Sequence, residues 1–491
     1  MKYISTRGRA EKTGATRAIV KGIAEDRGLY VPEGFPRLKE SWTELASLEY
    51  KEVAQLVLSC FLPDFTQEEL AEYTGRAYGE TFEHPRVAPL VRAGNVHFLE
   101  LYHGKTAAFK DMALSLLPYL LTASIRKEKE DKKIAILAAT SGDTGIAALK
   151  GFEDVPGTEV IVFFPEEGVS PVQKQQMRTA EGSNTHVAGI EGNFDDAQRG
   201  VKQILNDENF AAEALAKGYK LTAANSINIG RLLPQVAYYV WAYARMVESG
   251  AVKAGDPVNL VVPSGNFGNL LSGYYAEKMG VPVRRYLCAS NRNNVLSDFF
   301  RTGVYDARRP LYTTNAPSMD IIVSSNLERL LYDLSGEDGA AVDAWMQALQ
   351  NEQRYQVGGK TKEGLNRFYG GFATEEEIEA AIGSFYREQG YLMDTHTAAA
   401  YKVYQDYLAE TGDDTPAVIT ATASPYKFAG SVCRALGLPV AEDEFSAILQ
   451  LAEKTGVPVP AGLQNLKERP VRHTLTVAPE AMSDTVMHTL K

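Results

Sequence analysis

The sequence predicts an α/β protein, with parallel sheets flanked by helices and a mainly helical region in front of them. Three observations predict it. From about residue 96, apolar runs of strand length alternate with stretches of helical spacing. Runs such as 258–262 are nearly continuous in apolar residues, as strands buried on both faces are. Two Gly-containing turns, Thr140-Ser141-Gly142-Asp143-Thr144-Gly145 and Pro263-Ser264-Gly265-Asn266-Phe267-Gly268-Asn269, each fall between a strand and a helix. In open α/β sheets that is where ligands bind.

Taken in order, residues 1–95 open with a short extended piece at 3–6, followed by a Gly- and Pro-punctuated loop at 28–36. Residues 50–62 have helical spacing, and Thr66 with Glu69 reads as a capping box. A strand at 96–101 leads into His103-Gly104-Lys105-Thr106-Ala107-Ala108-Phe109-Lys110-Asp111, and a helix is expected over 111–125. Strands are expected at 134–139, 159–164, 186–190, 258–262 and 284–288. Helices are expected at 145–150, 171–179, 195–205, 230–248 and 269–279. Residues 357–374 read as a polar insertion. The alternation returns with a helix at 395–408, a strand at 416–421 and Thr422-Ala423-Ser424-Pro425.

Gross properties narrow the function. A chain of 491 residues suggests about three units, and its 45% hydrophobic and 23% charged residues are those of a soluble globular protein. A net charge of −11 argues against a nucleic-acid partner. No window has the roughly 20 apolar residues that span a bilayer, and the N-terminus has no signal-peptide pattern, so no membrane partner and a cytoplasmic location are expected. Cys60, Cys288 and Cys433 are far apart, and no residues have convincing metal-ligand spacing.

The chemistry centres on Lys110. It sits where an apolar run meets a helix start, and both a helix N-terminus and partial burial disfavour its charged form. A neutral amine is what an imine-forming lysine needs. Lys105 and Lys427 compete for that role but lack a comparable apolar approach. Gly265 and Gly268 allow close backbone approach, so the second turn can cradle a phosphate. Ser141 and Thr144 in the first can hold a carboxylate. Asn225, Ser226, Asn228 and Arg231 offer amides, a hydroxyl and a guanidinium over one turn, which suits an oxyanion. Spacing alone also fits capped helices with no ligand. His103 and His396 read as packing or capping residues. There is no GxxxxGK[ST] or GxGxxG, which speaks against a nucleotide-binding protein.

Together these stretches resemble the threonine synthase family, which belongs to the fold-type II pyridoxal-phosphate enzymes. The likeness also takes in Gly28-Leu29-Tyr30-Val31-Pro32, Ser170-Pro171-Val172-Gln173, Glu191-Gly192-Asn193-Phe194-Asp195-Asp196, Asp394-Thr395-His396-Thr397-Ala398 and Thr422 to Phe428. It implies two parallel-sheet α/β subdomains and an extra N-terminal, mainly helical domain over 1–95. The cofactor-binding core would span 96–440, with a smaller subdomain at about 130–250 and an insertion at about 300–375. A C-terminal tail at 441–491 would pack on it. Lys110 would bond pyridoxal 5'-phosphate, Gly265, Asn266, Phe267, Gly268 and Asn269 would bind its phosphate, Thr422 would face its ring nitrogen, and Asp143 would lie beside its ring hydroxyl. Ser141 and Thr144 would hold the substrate carboxylate. Asn225, Ser226, Asn228 and Arg231, with Lys105, would hold a substrate phosphate. Lys105 departs from the proline usual after His-Gly, and Arg27 from a usual glycine. The implied reaction turns O-phospho-L-homoserine and water into L-threonine and phosphate, in a monomer or small homo-oligomer. A phospho-lyase giving 2-ketobutyrate and a catalytically silent cofactor-binding protein are the alternatives.

Overall fold

A computed structural model describes residues 1–223 and 226–491. Two sheets organise the chain. The larger has six strands in the order Phe368–Phe372, Val283–Ser290, Val258–Pro263, Ala417–Ala421, Val96–Glu100, Leu90–Ala93, parallel except for the last. The smaller has five parallel strands in the order Thr476–Val477, Thr185–Ile190, Thr158–Pro165, Lys133–Ala139, Tyr219–Ala223. Every residue of Val258–Pro263 is buried, which is why that run is nearly continuous in apolar residues.

Helix Ile229–Glu248 ties the halves to the N-terminal region. Its residues 229–246 are buried all round, as an internal helix requires. It packs against helices Trp42–Ser47, Tyr50–Phe61 and Gly268–Met279. Trp241 stands edge-on to Tyr50 and donates its indole N–H to Ala88 O at 2.7 Å.

Four local expectations change. Residues 28–36 are not all loop, because Tyr30–Pro32 pairs antiparallel with Tyr3–Ser5. The helix expected over 111–125 is two helices, Asp111–Leu114 and Leu117–Lys127. Pro118 explains the break, since it has no N–H to donate to Leu114 O and is instead tolerated in the first turn of the second helix. Residues 357–374 contain helix Gly359–Leu365 and strand Phe368–Phe372, which forms an edge of the larger sheet. Strand Tyr219–Ala223, absent from the sequence reading, lies at an edge of the smaller sheet and leads into 226–231.

The positioning consequence is simple. Val96–Glu100, Lys133–Ala139, Tyr219–Ala223, Val258–Pro263 and Ala417–Ala421 each deliver one of the motifs from their carboxyl end. Among the described residues, no helix is long and apolar enough to cross a membrane.

Candidate active site

Lys110 is the N-cap residue of helix Asp111–Leu114. The loop before it is tightly tied. Asp111 accepts hydrogen bonds from Thr106 N–H at 2.8 Å and from the Thr106 hydroxyl at 2.7 Å. Ala107 has φ +57°, a region that residues other than glycine seldom occupy. Its N–H donates to Gly104 O, and its carbonyl accepts from Ser424 N–H. Phe109 N–H donates to Thr422 O at 2.8 Å, so Thr422 lies against the backbone that carries Lys110.

Asp143, the first residue of helix Asp143–Gly151, places Oδ2 3.8 Å from Lys110 Nζ. Lys427, in the turn Pro425–Phe428, places Nζ 2.6 Å from Asp143 Oδ1 and donates to Thr106 O at 2.9 Å. Gln173 Nε2 donates to Oδ1 at 2.8 Å, and the Ser318 hydroxyl donates to Oδ2 at 3.3 Å. The Lys427 side chain is 0% exposed, against 13% for Lys110. Of these two lysines, only Lys110 is open to a ligand. The sequence did not show that Lys427 is fully buried, and its ammonium is held there by Asp143 and the Thr106 carbonyl.

The electrostatics follow from that packing. Burial alone would raise the Asp143 carboxyl, but the ammonium groups of Lys427 and Lys110 outweigh it and hold the group well below the usual carboxylate range. Burial lowers the Lys110 amine to about 8. Asp143 pulls it back up, while Arg231 and Lys427 push it further down. Burial, one of the two causes the sequence suggested, is the largest, and the neighbouring cations add to it. Arg231 is itself lowered to about 10 by burial. Its effect on Lys110 places the end of loop 226–231 at the same centre.

The turn after Val258–Pro263 turns its carbonyls away from its amides. Gly265 O accepts from the Ser324 hydroxyl at 2.8 Å, and Asn266 O accepts from Asn326 N–H at 3.1 Å and from its side chain at 3.0 Å. With trans peptides, the N–H groups of Asn266 and Phe267 then point the opposite way. Phe267 has φ +64°, which starts helix Gly268–Met279 sharply. The N–H groups of Asn266 through Leu270 have no acceptor among the described residues. The side-chain oxygen of Asn269 accepts from the Tyr238 and Tyr239 hydroxyls at 2.7 and 2.6 Å, which anchors the first turn of that helix.

The remaining predicted residues divide. Ser141 and Thr144 are half-buried on the turn that carries Asp143, and Ser226 is half-buried near Arg231. Asn228 caps helix Ile229–Glu248 by accepting from Gly230 N–H at 2.8 Å, and its amide donates to Ile19 O at 2.9 Å. Asn225 lies outside the described residues. Lys105 is exposed. His103 pairs with Glu100 at 2.7 Å, and buried His396 is held by Asp394 and Ser318 N–H.

Sequence reasoning missed four contributors. Gln173 and Ser318 fasten Asp143. Asn326, 0% exposed, donates to both Asn266 O and Ser226 O, joining the two loops. Buried Arg329 donates to Asn326 and to Ile227 O behind them. Only Gln173, within Ser-Pro-Val-Gln, lay in a stretch that had drawn attention.

Three family models match in succession: threonine synthase N terminus over residues 2–78, pyridoxal-phosphate dependent enzyme over 81–423, and threonine synthase C-terminal over 397–486. Threonine synthase from Pseudomonas aeruginosa is 38% identical over 442 residues, 89% of this chain and 90% of that protein. The chain belongs to the threonine synthase family. Within that family, the crystal structure of threonine synthase from Brucella melitensis, described as bound to pyridoxal phosphate, superposes with a TM-score of 0.88 at 36% identity, covering 100% of both chains. Human threonine synthase-like 1 is 40% identical over 449 residues, 89% of this chain. The chain spans 60% of the length of that relative. The expected fold-type II architecture of parallel sheets with an extra N-terminal region holds.

Proposed function

We propose that this chain is a threonine synthase, a pyridoxal-phosphate-dependent lyase that converts O-phospho-L-homoserine and water into L-threonine and phosphate. What supports this reading is Lys110, partly exposed and 3.8 Å from Asp143, with buried Arg231 close enough to lower its amine and the turn at Gly265 joined to Asp143 through Ser318.

The residues fit the cofactor. Lys110 would bond it, the N–H groups of Gly265 to Asn269 would hold its phosphate, and Thr422 and Asp143 would lie along its ring. When bound, pyridoxal phosphate supplies an electron sink for the pair released beside the substrate amino group. Lys110 Nζ, kept near neutrality, takes the proton from the substrate α-carbon and returns protons as the reaction proceeds. Ser141 and Thr144 bind the substrate carboxylate. Ser226, Asn228 and Arg231, with Asn225 and Lys105, bind the substrate phosphate and steady the negative charge that leaves with it.

The same proposal places the protein in the cytoplasm as a monomer or small homo-oligomer working on a small molecule. It assigns 1–95 to a supporting domain, 96–440 to the cofactor-binding core and 441–491 to a tail.

Two results test it. Purified protein given O-phosphohomoserine should release threonine and phosphate in equal amounts; phosphate with 2-ketobutyrate and no threonine would refute the synthase reading. A Cβ at position 265 would come within 2.6 Å of Ser318 O, a backbone atom with little room to move. Gly265→Ala should therefore distort the cradle at a cost of about 1–3 kcal/mol. Its affinity for pyridoxal phosphate should fall by roughly tenfold or more, measured by cofactor fluorescence, with the far-UV circular dichroism unchanged.

A further inference from the structure

Lys427 has no part in the roles above, yet it is the most deeply buried charge at the centre. Its position is specific. Nζ takes Asp143 Oδ1 at 2.6 Å, where Gln173 also donates. Asp143 Oδ2 receives the Ser318 hydroxyl at 3.3 Å. Lys110 Nζ is left 3.8 Å from Oδ2, beyond hydrogen-bonding distance.

We propose that Lys427 is a positioning residue: by setting a second positive charge against one oxygen of Asp143, it loosens that carboxylate's hold on the charged form of Lys110. The proposal rests on the reading of Lys110 as the working lysine, and it deepens that reading. A lysine that must give and take protons needs a carboxylate close enough to steady its charged form, but not so close that the proton stays on the amine. A buried Lys–Asp pair left alone would hold that proton strongly. A second ammonium, fixed by the Thr106 carbonyl, shares the carboxylate and relieves the effect.

The charged groups facing this corner come from several elements. Asp143 lies on Asp143–Gly151, Arg231 on Ile229–Glu248, and Lys427 on Pro425–Phe428. Asp111, next to Lys110, is tied to Thr106. The His396–Asp394 pair sits beyond Ser318. Arg231 and Lys427 oppose a proton on Lys110, and Asp143 favours one. Removing the Lys427 charge therefore shifts the balance toward a protonated Lys110.

The test reads the amine itself. Full-length protein stripped of cofactor is labelled with trace acetic anhydride across pH, and acetylation of Lys110 is followed by peptide mass spectrometry against exposed Lys253. The wild-type midpoint is expected near 8. In Lys427→Met it should rise by roughly one unit or more. Lys427→Gln retains a donor for Asp143 and Thr106, and should show the same rise if the methionine variant does not fold. In an Asp143→Asn background the same Lys427 substitutions should give a clearly smaller rise, because the part that runs through the carboxylate is gone and only the direct repulsion between the two lysines remains. A midpoint unchanged in Lys427→Gln would overturn the proposal, as would a rise that is undiminished without Asp143. Neither outcome depends on which substrate the enzyme uses, so a failed threonine synthase assay and a failed Lys427 test are separate results.

Discussion

Lys110→Ala is expected to abolish the borohydride-trapped adduct between the chain and pyridoxal phosphate. It should also lower kcat by about 10³-fold or more, since it removes a proton-transfer group whose typical worth is about 10²–10⁴. The fold should survive. Lys110 lies at the cleft, and its amine is held 3.8 Å from Asp143, not in a close ion pair. Peptide mapping of the reduced adduct is the check. An adduct retained in Lys110→Ala and mapped to Lys427 would show that the accessible lysine had been misidentified.

Arg231→Ala is expected to separate the two phosphates. Arg231 is 4% exposed and close enough to lower the Lys110 amine. A hydrogen bond from such a guanidinium to a phosphate contributes about 1.5–3 kcal/mol. KM for O-phosphohomoserine should therefore rise roughly 10- to 100-fold. Cofactor affinity should change little, because the proposed cofactor phosphate cradle, Gly265 to Asn269, follows a different strand. Steady-state kinetics with a parallel cofactor titration checks both halves. Unchanged KM, or loss of the cofactor, would place Arg231 elsewhere in the mechanism.

How much of this was legible in the chain depended on the range of the interactions. Lys110 and the turn 263–269 could be read because their signals are local: an apolar run before a lysine, and glycines between a strand and a helix. The capping box of Thr66 and Glu69 is local too, and both of its hydrogen bonds form. Lys427 could not be read, because its burial depends on Thr106, 321 residues away, and on Asp143 in the other half. Asn326 and Arg329 were hidden for the same reason. Tyr219–Ala223 and Phe368–Phe372 escaped notice because they are edge strands, with mixed burial in one and two glycines in the other. Asn228 carries a structural part the sequence did not show: its side chain accepts from Gly230 N–H and gives one amide proton to Ile19 O, 209 residues away.

The central claim is that water adds to the carbon chain while phosphate leaves by breaking its bond to carbon. Turnover of O-phosphohomoserine in ¹⁸O-labelled water measures this directly. The account predicts threonine carrying one ¹⁸O in its β-hydroxyl and phosphate carrying none. Label in the phosphate with homoserine as product would mean simple phosphate-ester hydrolysis, and label in 2-ketobutyrate without threonine would mean elimination alone; either would contradict it.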